Sequence, residues 1–160
     1  MSIRVGDRIP EVTLKRIRDG IETLDTRALF EDRKVVLFAV PGAFTPTCSA
    51  QHLPGFVTRF PEFRQRGIEV YCMAVNDPFV MNAWGKDQNV PDGLLMLSDG
   101  NGDFSRALDL QQDASASGMG TRSRRFALYV EDGTVRGAWV DAPGAFEVSS
   151  ADHVLQQLPA

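Results

Sequence analysis

The run of six apolar residues at 35–40 constrains the fold of this chain more than any other feature. A strand with no polar residue on either side is typical of a parallel sheet that helices cover on both faces. Pro41-Gly42 ends the run, and a short polar loop then leads to Cys48. The pattern predicts a buried strand, a tight turn, and a helix with a thiol in its first turn.

The residues after Cys48 continue the alternation of helix and strand. A helix is predicted from about Thr47, broken or kinked near Pro54-Gly55, resumed over 60–66 and ended at Gly67. A second apolar strand follows at 68–75. The resulting βαβ unit predicts two parallel neighbouring strands joined by a right-handed crossover.

The rest of the chain completes a mixed sheet. The further predicted elements are a helix over 78–86, a strand over 94–97, a helix over 104–110, a hairpin with arms at 126–130 and 135–140, and a helix over 151–158. Parallel strands followed by an antiparallel pair, with helices on both faces, predict an α/β chain with a thioredoxin-like fold. Since no repeat or linker divides the sequence, residues 1–160 are predicted to form a single domain.

Charge and composition exclude several classes of function. The chain has 17 basic and 21 acidic residues, and its only tight basic cluster is Arg122, Arg124 and Arg125. Nucleic-acid binding through phosphate neutralisation is therefore not expected. No apolar stretch approaches the length of a membrane span, and the N-terminus lacks the apolar core of a signal peptide. We expect a cytoplasmic protein that binds no membrane.

The chain has two cysteines and two histidines, without the spacings of a structural zinc site. No metal or other cofactor is therefore expected. Cys72 lies within the predicted strand at 68–75, where a reduced cysteine usually packs as a small apolar residue. Cys48 lies at a predicted helix start, where free N–H groups and the helix dipole favour the thiolate.

Ionisation alone does not make a thiol a fast catalyst. A thiol with an ordinary pKa of ~8.5 is about 3% ionised at pH 7, and a pKa of ~6 raises this to about 90%, a gain of ~30-fold. Lower basicity also reduces the nucleophilicity of the sulfur. A rapid reaction at Cys48 therefore needs donors that stabilise the charge developing on the substrate.

Two kinds of donor are candidates. The hydroxyl of Thr45, three residues before Cys48, can face the same pocket, and one arginine of the basic cluster can enter from the start of the hairpin. The residues alone do not select among the three arginines. His52 could form a protease-like pair with Cys48. However, a histidine one helical turn after a cysteine more often bonds to the backbone.

The segment Pro41-Gly42-Ala43-Phe44-Thr45-Pro46-Thr47-Cys48 resembles the peroxidatic loop of the peroxiredoxins, Pro-x-x-x-Thr-x-x-Cys, and within them the type-five subfamily. Further similar segments lie at 48–56, 75–80, 84–85 and 124–126, the last of them before a Glu-Asp-Gly hairpin turn. The resemblance spans nearly the whole chain. It implies a thiol peroxidase that reduces hydrogen peroxide and organic hydroperoxides in antioxidant defence.

The resemblance also implies roles for individual residues. Cys48 would attack the terminal peroxide oxygen and become a sulfenic acid. Thr45 would hydrogen-bond the peroxide, and Arg125 would stabilise the thiolate and polarise the O–O bond. Pro41 would shield the pocket from water, and backbone N–H groups around Cys48 would bind the second peroxide oxygen.

A resolving cysteine, which some members carry near the C-terminus, is absent from residues 141–160. Cys72 matches a position that is buried and non-resolving in the family. We therefore expect a one-cysteine mechanism, with the sulfenic acid reduced by glutathione and glutaredoxin or by thioredoxin. The family also implies a homodimer, with an interface that includes Phe44, Phe79 and Trp84. From the residues alone, these three aromatics fit a core equally well.

Two other functions remain open from the sequence. A thiol–disulfide oxidoreductase of the thioredoxin type normally uses C-x-x-C, and Cys48-Ser49-Ala50-Gln51 lacks the second cysteine. A non-catalytic thioredoxin-like module is the other alternative. That interpretation leaves the combination of Thr45, Cys48 and Arg125 unexplained.

Overall fold

The computed structural model describes residues 2–158. A mixed sheet of seven strands forms its centre, in the order β2-β1-β5-β4-β3-β8-β9. These strands are β1 Thr13–Ile17, β2 Ile21–Asp25, β3 Lys34–Ala39, β4 Ile68–Ala74, β5 Leu94–Ser98, β8 Phe126–Glu131 and β9 Thr134–Val140. A small hairpin of β6 Gln111–Asp113 and β7 Thr121–Ser123 forms a second sheet.

The helices lie between these strands along the chain, except the last helix, which follows the last strand. They are α1 Thr26–Phe30, a π-helix at Cys48–His52, α2 Leu53–Gln65, α3 Pro78–Asp87, α4 Asp103–Ala107, a short 3₁₀ helix at Ser115–Ser117 and α5 Ala151–Gln157. Within residues 2–158, no helix combines the length and the apolar character needed to cross a membrane.

The sheet has the predicted mixture of directions. Strands β3, β4 and β5 are parallel, and β8 and β9 continue the sheet in antiparallel pairs. β3 therefore lies inside the sheet, between a parallel and an antiparallel neighbour. The predicted α/β architecture with helices on both faces is confirmed.

The apolar run of β3 is buried on both faces because helices cover both sides of the sheet. Val36 and Phe38 pack with α2, α3 and α5 in one core. Val35 and Leu37 point to the other face and pack with α1 and α4. All four side chains are fully buried. Cys48 belongs to the first of these two cores, on the same face as Phe38.

Of the break or kink predicted near Pro54-Gly55, the break is wrong, because α2 runs without interruption from Leu53 to Gln65. Pro54 lies in the first turn of α2. The N–H groups of a first turn have no partner within the helix itself, so a proline is tolerated there. A π-helix precedes α2, in which the Leu53 N–H donates to the Cys48 carbonyl oxygen. Such wide turns occur often at functional sites, and nothing in the sequence predicted this one.

Candidate active site

The loop that carries Cys48 is tied to the ends of two parallel strands. The Val40 N–H donates to the Met73 carbonyl oxygen at 3.0 Å, which extends the pairing of β3 with β4. Further along, the Ala43 N–H donates to Asn76 Oδ1 at 2.9 Å. These contacts hold the loop at the carboxyl edge of the sheet, where ligand sites of α/β proteins commonly lie.

Cys48 lies in the first turn of the helical segment. The Ser49 N–H donates to the Thr45 carbonyl oxygen at 2.9 Å, and this is a helical hydrogen bond. The N–H groups of Thr47 and Cys48 precede it and therefore point out of the helix start. The Cys48 side chain itself is fully buried. The thiol and two backbone donors thus share one end of a helix, as the sequence predicted.

Arg125 is the arginine that the fold brings to Cys48. Its Nη2 donates to Cys48 Sγ at 3.2 Å, and its Nη1 lies 2.8 Å from His52 Nδ1. The Arg125 side chain is only 8% exposed. Arg125 therefore places a buried positive charge and a hydrogen-bond donor directly on the sulfur, where electrostatic interactions are stronger than in water.

The other two arginines of the basic cluster bind backbone carbonyl groups instead. Arg122 donates to the carbonyl oxygens of Met119 and Val75. Arg124 Nη2 donates to the Asp141 carbonyl oxygen at 2.9 Å. The geometry therefore identifies Arg125 as the arginine that contacts Cys48, a choice that the sequence alone left open among the three.

His52 links Arg125 to the C-terminal part of the chain. Its Nε2 lies 3.0 Å from the Ser149 carbonyl oxygen, which can only accept a hydrogen bond. Nε2 therefore carries the proton, and Nδ1 accepts from Arg125. Burial, together with the charge of Arg125, lowers the pKa of His52 to about 3. The neutral ring bonds to the backbone and to Arg125. The sequence analysis expected a histidine at this position to bond to the backbone, and His52 is not placed as a protease-like base.

Residues near the C-terminus form a further wall of the site that the sequence analysis missed. The Phe146 ring lies 5.0 Å from the His52 ring, and Arg125 Cζ lies 5.7 Å from the Phe146 centroid. The buried Asp141 carboxylate accepts hydrogen bonds from the segment 147–149 that follows. No motif marks these residues, since the fold alone brings them to the helix start.

Thr45 and Pro41 lie in the same loop as Cys48. The Thr45 hydroxyl donates to the Gly42 carbonyl oxygen at 2.6 Å, which commits its proton and leaves its oxygen able to accept. Pro41 is half-buried and directly follows the buried Val40. A Cβ built on Gly42 would lie 3.1 Å from Thr45 Cγ2, so the loop is closely packed around the threonine.

Cys72 has a different environment from Cys48. It pairs with Phe38 across β3 and β4 and is fully buried in the same core. Burial, with a further contribution from Cys48, raises the pKa of the Cys72 thiol well above its usual range. Cys72 is therefore held as an unreactive thiol. Within residues 2–158, no three His, Cys, Asp or Glu side chains are grouped to hold a metal ion.

The aromatic residues expected at an interface fall into two groups. Phe44 and Phe79 are 52% and 62% exposed, respectively. Trp84 is fully buried, and its indole Nε1 donates to Ser49 Oγ at 3.0 Å. The expectation that Trp84 offers surface to a partner is therefore corrected, because the chain itself covers this side chain.

Comparison with known proteins identifies the family. The family model for Redoxin matches residues 4–155. Peroxiredoxin-2B from Arabidopsis thaliana is 44% identical over 159 residues, which cover 98% of each chain. The chain belongs to the peroxiredoxin family. It is thus a thiol peroxidase of the oxidoreductase class, which decides against a thiol–disulfide oxidoreductase or a non-catalytic module.

Solved peroxiredoxin structures share this fold and confirm that it is thioredoxin-like. Reduced Prx3 from Vibrio vulnificus in complex with hydrogen peroxide superposes with a TM-score of 0.92 at 42% identity, covering 96% of this chain and 98% of that one. Peroxiredoxin 5 from Alvinella pompejana superposes with a TM-score of 0.84 at 33% identity and covers 96% of both chains.

Proposed function

We propose that the chain is a one-cysteine, type-five peroxiredoxin that uses Cys48 to reduce hydrogen peroxide and organic hydroperoxides. One observation carries the proposal: Arg125 Nη2 lies 3.2 Å from Cys48 Sγ in a buried site at a helix start. The similarity to peroxiredoxin 5 from Alvinella pompejana supports the subfamily. The similarity to a Prx3 solved with hydrogen peroxide supports the substrate class.

The reaction at Cys48 is a displacement at oxygen. The thiolate attacks the terminal oxygen of the peroxide, so that an S–O bond forms while the O–O bond breaks. The leaving oxygen takes a proton and departs as water or an alcohol. Cys48 loses two electrons and becomes a sulfenic acid, and the peroxide gains them.

The surrounding groups fit the charges that develop in this step. Arg125 has a planar fork of donors, so one N–H can stay on the sulfur while another meets the peroxide oxygen. The Thr45 hydroxyl donates its hydrogen bond to the Gly42 carbonyl oxygen, so its own oxygen is available to accept a hydrogen bond from the peroxide O–H. The N–H groups of Thr47 and Cys48 can hold the second oxygen. Pro41 contributes an apolar wall without an N–H donor.

External thiols regenerate Cys48 in this proposal. The sulfenic acid condenses with glutathione to give a mixed disulfide and water, and glutaredoxin then exchanges the disulfide and restores the thiolate. The buried Cys72, with its raised pKa, is poorly suited to act as an internal resolving thiol. Thioredoxin is the alternative reductant, and it would release Cys48 by the same exchange chemistry.

The proposal includes a cytoplasmic homodimer. Phe44 and Phe79 are two large aromatic side chains that the chain leaves exposed. Covering both in an interface with a second copy would remove apolar surface from water. Phe44 lies in the same loop as Cys48, four residues before it, so this interface would lie beside the active site.

Mass spectrometry after one equivalent of peroxide tests the proposed chemistry. We expect one added oxygen on Cys48 in the wild type and none in Cys48→Ser. Glutathione, glutathione with glutaredoxin, and thioredoxin are then added to separate samples of the oxidised protein. Loss of the added oxygen with glutathione supports the proposed reductant. Recovery with thioredoxin alone would overturn that choice, and full peroxidase activity of Cys48→Ser would overturn the proposed function.

A further inference from the structure

We propose that Asp141 is a positioning residue that fixes the orientation of Arg125 through Ser149 and His52. The effect on peroxide reduction rests on the proposed function, whereas the structural effect on His52 does not. The chain of contacts starts on the strand beside Arg125 and returns to the Arg125 guanidinium.

Asp141 is a cross-strand neighbour of Arg125. It follows β9 directly, and its N–H donates to the Arg125 carbonyl oxygen at 2.9 Å. This bond extends the antiparallel ladder by one step beyond the pair of Phe126 and Val140. Opposed residues of such a ladder point to the same face of the sheet. The Asp141 carboxylate is thus presented on the face where Cys48 lies.

The carboxylate organises the segment that follows. Asp141 Oδ1 accepts from the N–H groups of Glu147 and Val148 at 3.0 and 2.9 Å. Oδ2 accepts from the Ser149 N–H at 3.3 Å and from its hydroxyl at 2.5 Å. Burial alone would raise the pKa of Asp141, but these hydrogen bonds outweigh it and lower the pKa. The group is therefore an anion around which the turn is built.

The position of this turn decides the tautomer of His52. The Ser149 carbonyl oxygen requires a proton on His52 Nε2, which leaves Nδ1 free to accept from Arg125 Nη1. If the carbonyl moved away, a proton on Nδ1 would face the Arg125 N–H, donor against donor. Arg125 would then lose the contact that fixes its second donor, Nη2, on Cys48 Sγ.

Asp99 provides a matched control within the same chain. It is also a buried carboxylate that begins a turn, and it accepts from the Phe104 N–H, the Ser105 N–H and the Ser105 hydroxyl. This turn leads into α4, and none of these hydrogen bonds involves His52 or Arg125. Asp99→Asn therefore reproduces the loss of a buried, hydrogen-bonded carboxylate without disturbing the proposed path.

The first measurement is ¹⁵N NMR of the histidine rings. The chain has two histidines, so His153→Gln assigns both sets of signals. We expect His52 to show a single tautomer protonated at Nε2 in the wild type and in Asp99→Asn. In Asp141→Asn we expect a mixture of tautomers or a shift of both ring nitrogens. Wild-type His52 signals in folded Asp141→Asn would overturn the proposal.

The second measurement is the rate of peroxide reaction at a pH where absorbance at 240 nm shows that Cys48 is fully ionised. Under this condition a change in rate reports orientation and not thiolate fraction. We expect Asp141→Asn to react about 10- to 100-fold more slowly than wild type, because small misplacements of a catalytic group have effects of this size. Asp99→Asn should react at the wild-type rate. Equal losses in the two variants would overturn the proposal.

A milder variant covers the case in which Asp141→Asn does not fold. Ser149→Ala removes one of the hydrogen bonds to Asp141 and keeps the carbonyl that meets His52. A shift of the His52 signals away from the single wild-type tautomer supports the proposal, and unchanged signals overturn it. The NMR result needs no peroxide. A wild type that fails to consume peroxide would therefore refute the proposed function while the His52 tautomer still decides this inference.

Discussion

Arg125 Nη2 and Cys48 Sγ lie 3.2 Å apart although 77 residues separate them in the chain. The register of the sheet explains the contact. β3 and β8 are antiparallel neighbours in which Ala39 pairs with Phe126. The residues that follow β3 and those that precede β8 therefore meet at one edge of the sheet. One loop supplies the thiol, and the start of the neighbouring strand supplies the cation.

Arg125→Lys should slow the reaction of Cys48 with peroxide by about 10²- to 10³-fold, the usual effect of losing one preorganised donor. A lysine has a single ammonium group, which cannot reproduce the planar contacts with both Cys48 and His52. Stopped-flow measurement of peroxide consumption by the reduced variant gives the rate directly.

Arg124→Lys is the matched control for this change. Arg124 is the adjacent residue and binds the Asp141 carbonyl oxygen, with no hydrogen bond to Cys48. We expect its rate to stay within a few-fold of wild type, while Arg125→Lys falls far below it. Equal effects of the two substitutions would show that Arg125 has no special role in the reaction.

His52 should make the stability of the folded chain depend on pH. Its pKa is lowered to about 3 in the folded state, against ~6.5 for an unfolded histidine. Between these values the unfolded chain binds a proton that the folded chain does not, so stability falls as the pH falls. The contribution is about 1.4 kcal/mol per pH unit, or about 2 kcal/mol between pH 7 and pH 5.

Urea unfolding of the wild type and His52→Gln at both pH values isolates this effect. Glutamine keeps one donor and one acceptor but has no titratable proton in this range, so its loss of stability should be smaller by about 2 kcal/mol. His153→Gln, at a half-buried position on α5, is the matched control for replacing a histidine elsewhere in the chain. If His52→Gln loses as much stability between the two pH values as the wild type does, another group sets the pH dependence.

Local patterns in the sequence were sufficient for five of the seven strands of the sheet, β3, β4, β5, β8 and β9, and for one half of the site. The apolar residues at 35–40 predicted β3, and the spacing of Thr45 and Cys48 placed two groups on one loop, because such signals involve neighbours in sequence. The choice of Arg125 came only from a family resemblance, since it depends on the register between β3 and β8.

The contacts that orient Arg125 could not be read from the sequence. His52 contacts Ser149, which lies 97 positions away in the chain. Asp141 lies in no motif that distinguishes it from an ordinary aspartate at the surface. Trp84 was equally compatible with a core or an interface, and only packing against α2 and the π-helix region decides it. These contacts arise when the whole sheet assembles, so no local pattern records them.

Cys72→Ser should retain the peroxide reaction at Cys48 and the same dependence on reductant. The residue is buried on β4 and held as a thiol by its raised pKa, so we expect no step of the reaction to use it. A buried hydroxyl in its place should lower stability by about 1–3 kcal/mol, measured by urea unfolding. Loss of turnover with normal oxidation of Cys48 would instead show that Cys72 resolves the sulfenic acid.

Gly42→Ala should slow the peroxide reaction by about 10-fold or more through displacement of Thr45. The added Cβ would lie 2.8 Å from Met119 Cε and 3.1 Å from Thr45 Cγ2, and the Gly42 carbonyl also holds the Thr45 hydroxyl. The rate of Cys48 oxidation, compared with that of wild type, measures the effect.

Two further variants separate crowding at Gly42 from a general effect of alanine. Gly55→Ala lies in α2, where the new Cβ would meet Ala151 Cβ at 3.9 Å, an ordinary contact. It should leave the rate unchanged and stabilise the helix by up to about 1 kcal/mol. Adding Met119→Ala to Gly42→Ala removes the closest contact and should restore part of the rate. A normal rate in Gly42→Ala alone would show that the loop tolerates the shift and that the position of Thr45 is not critical.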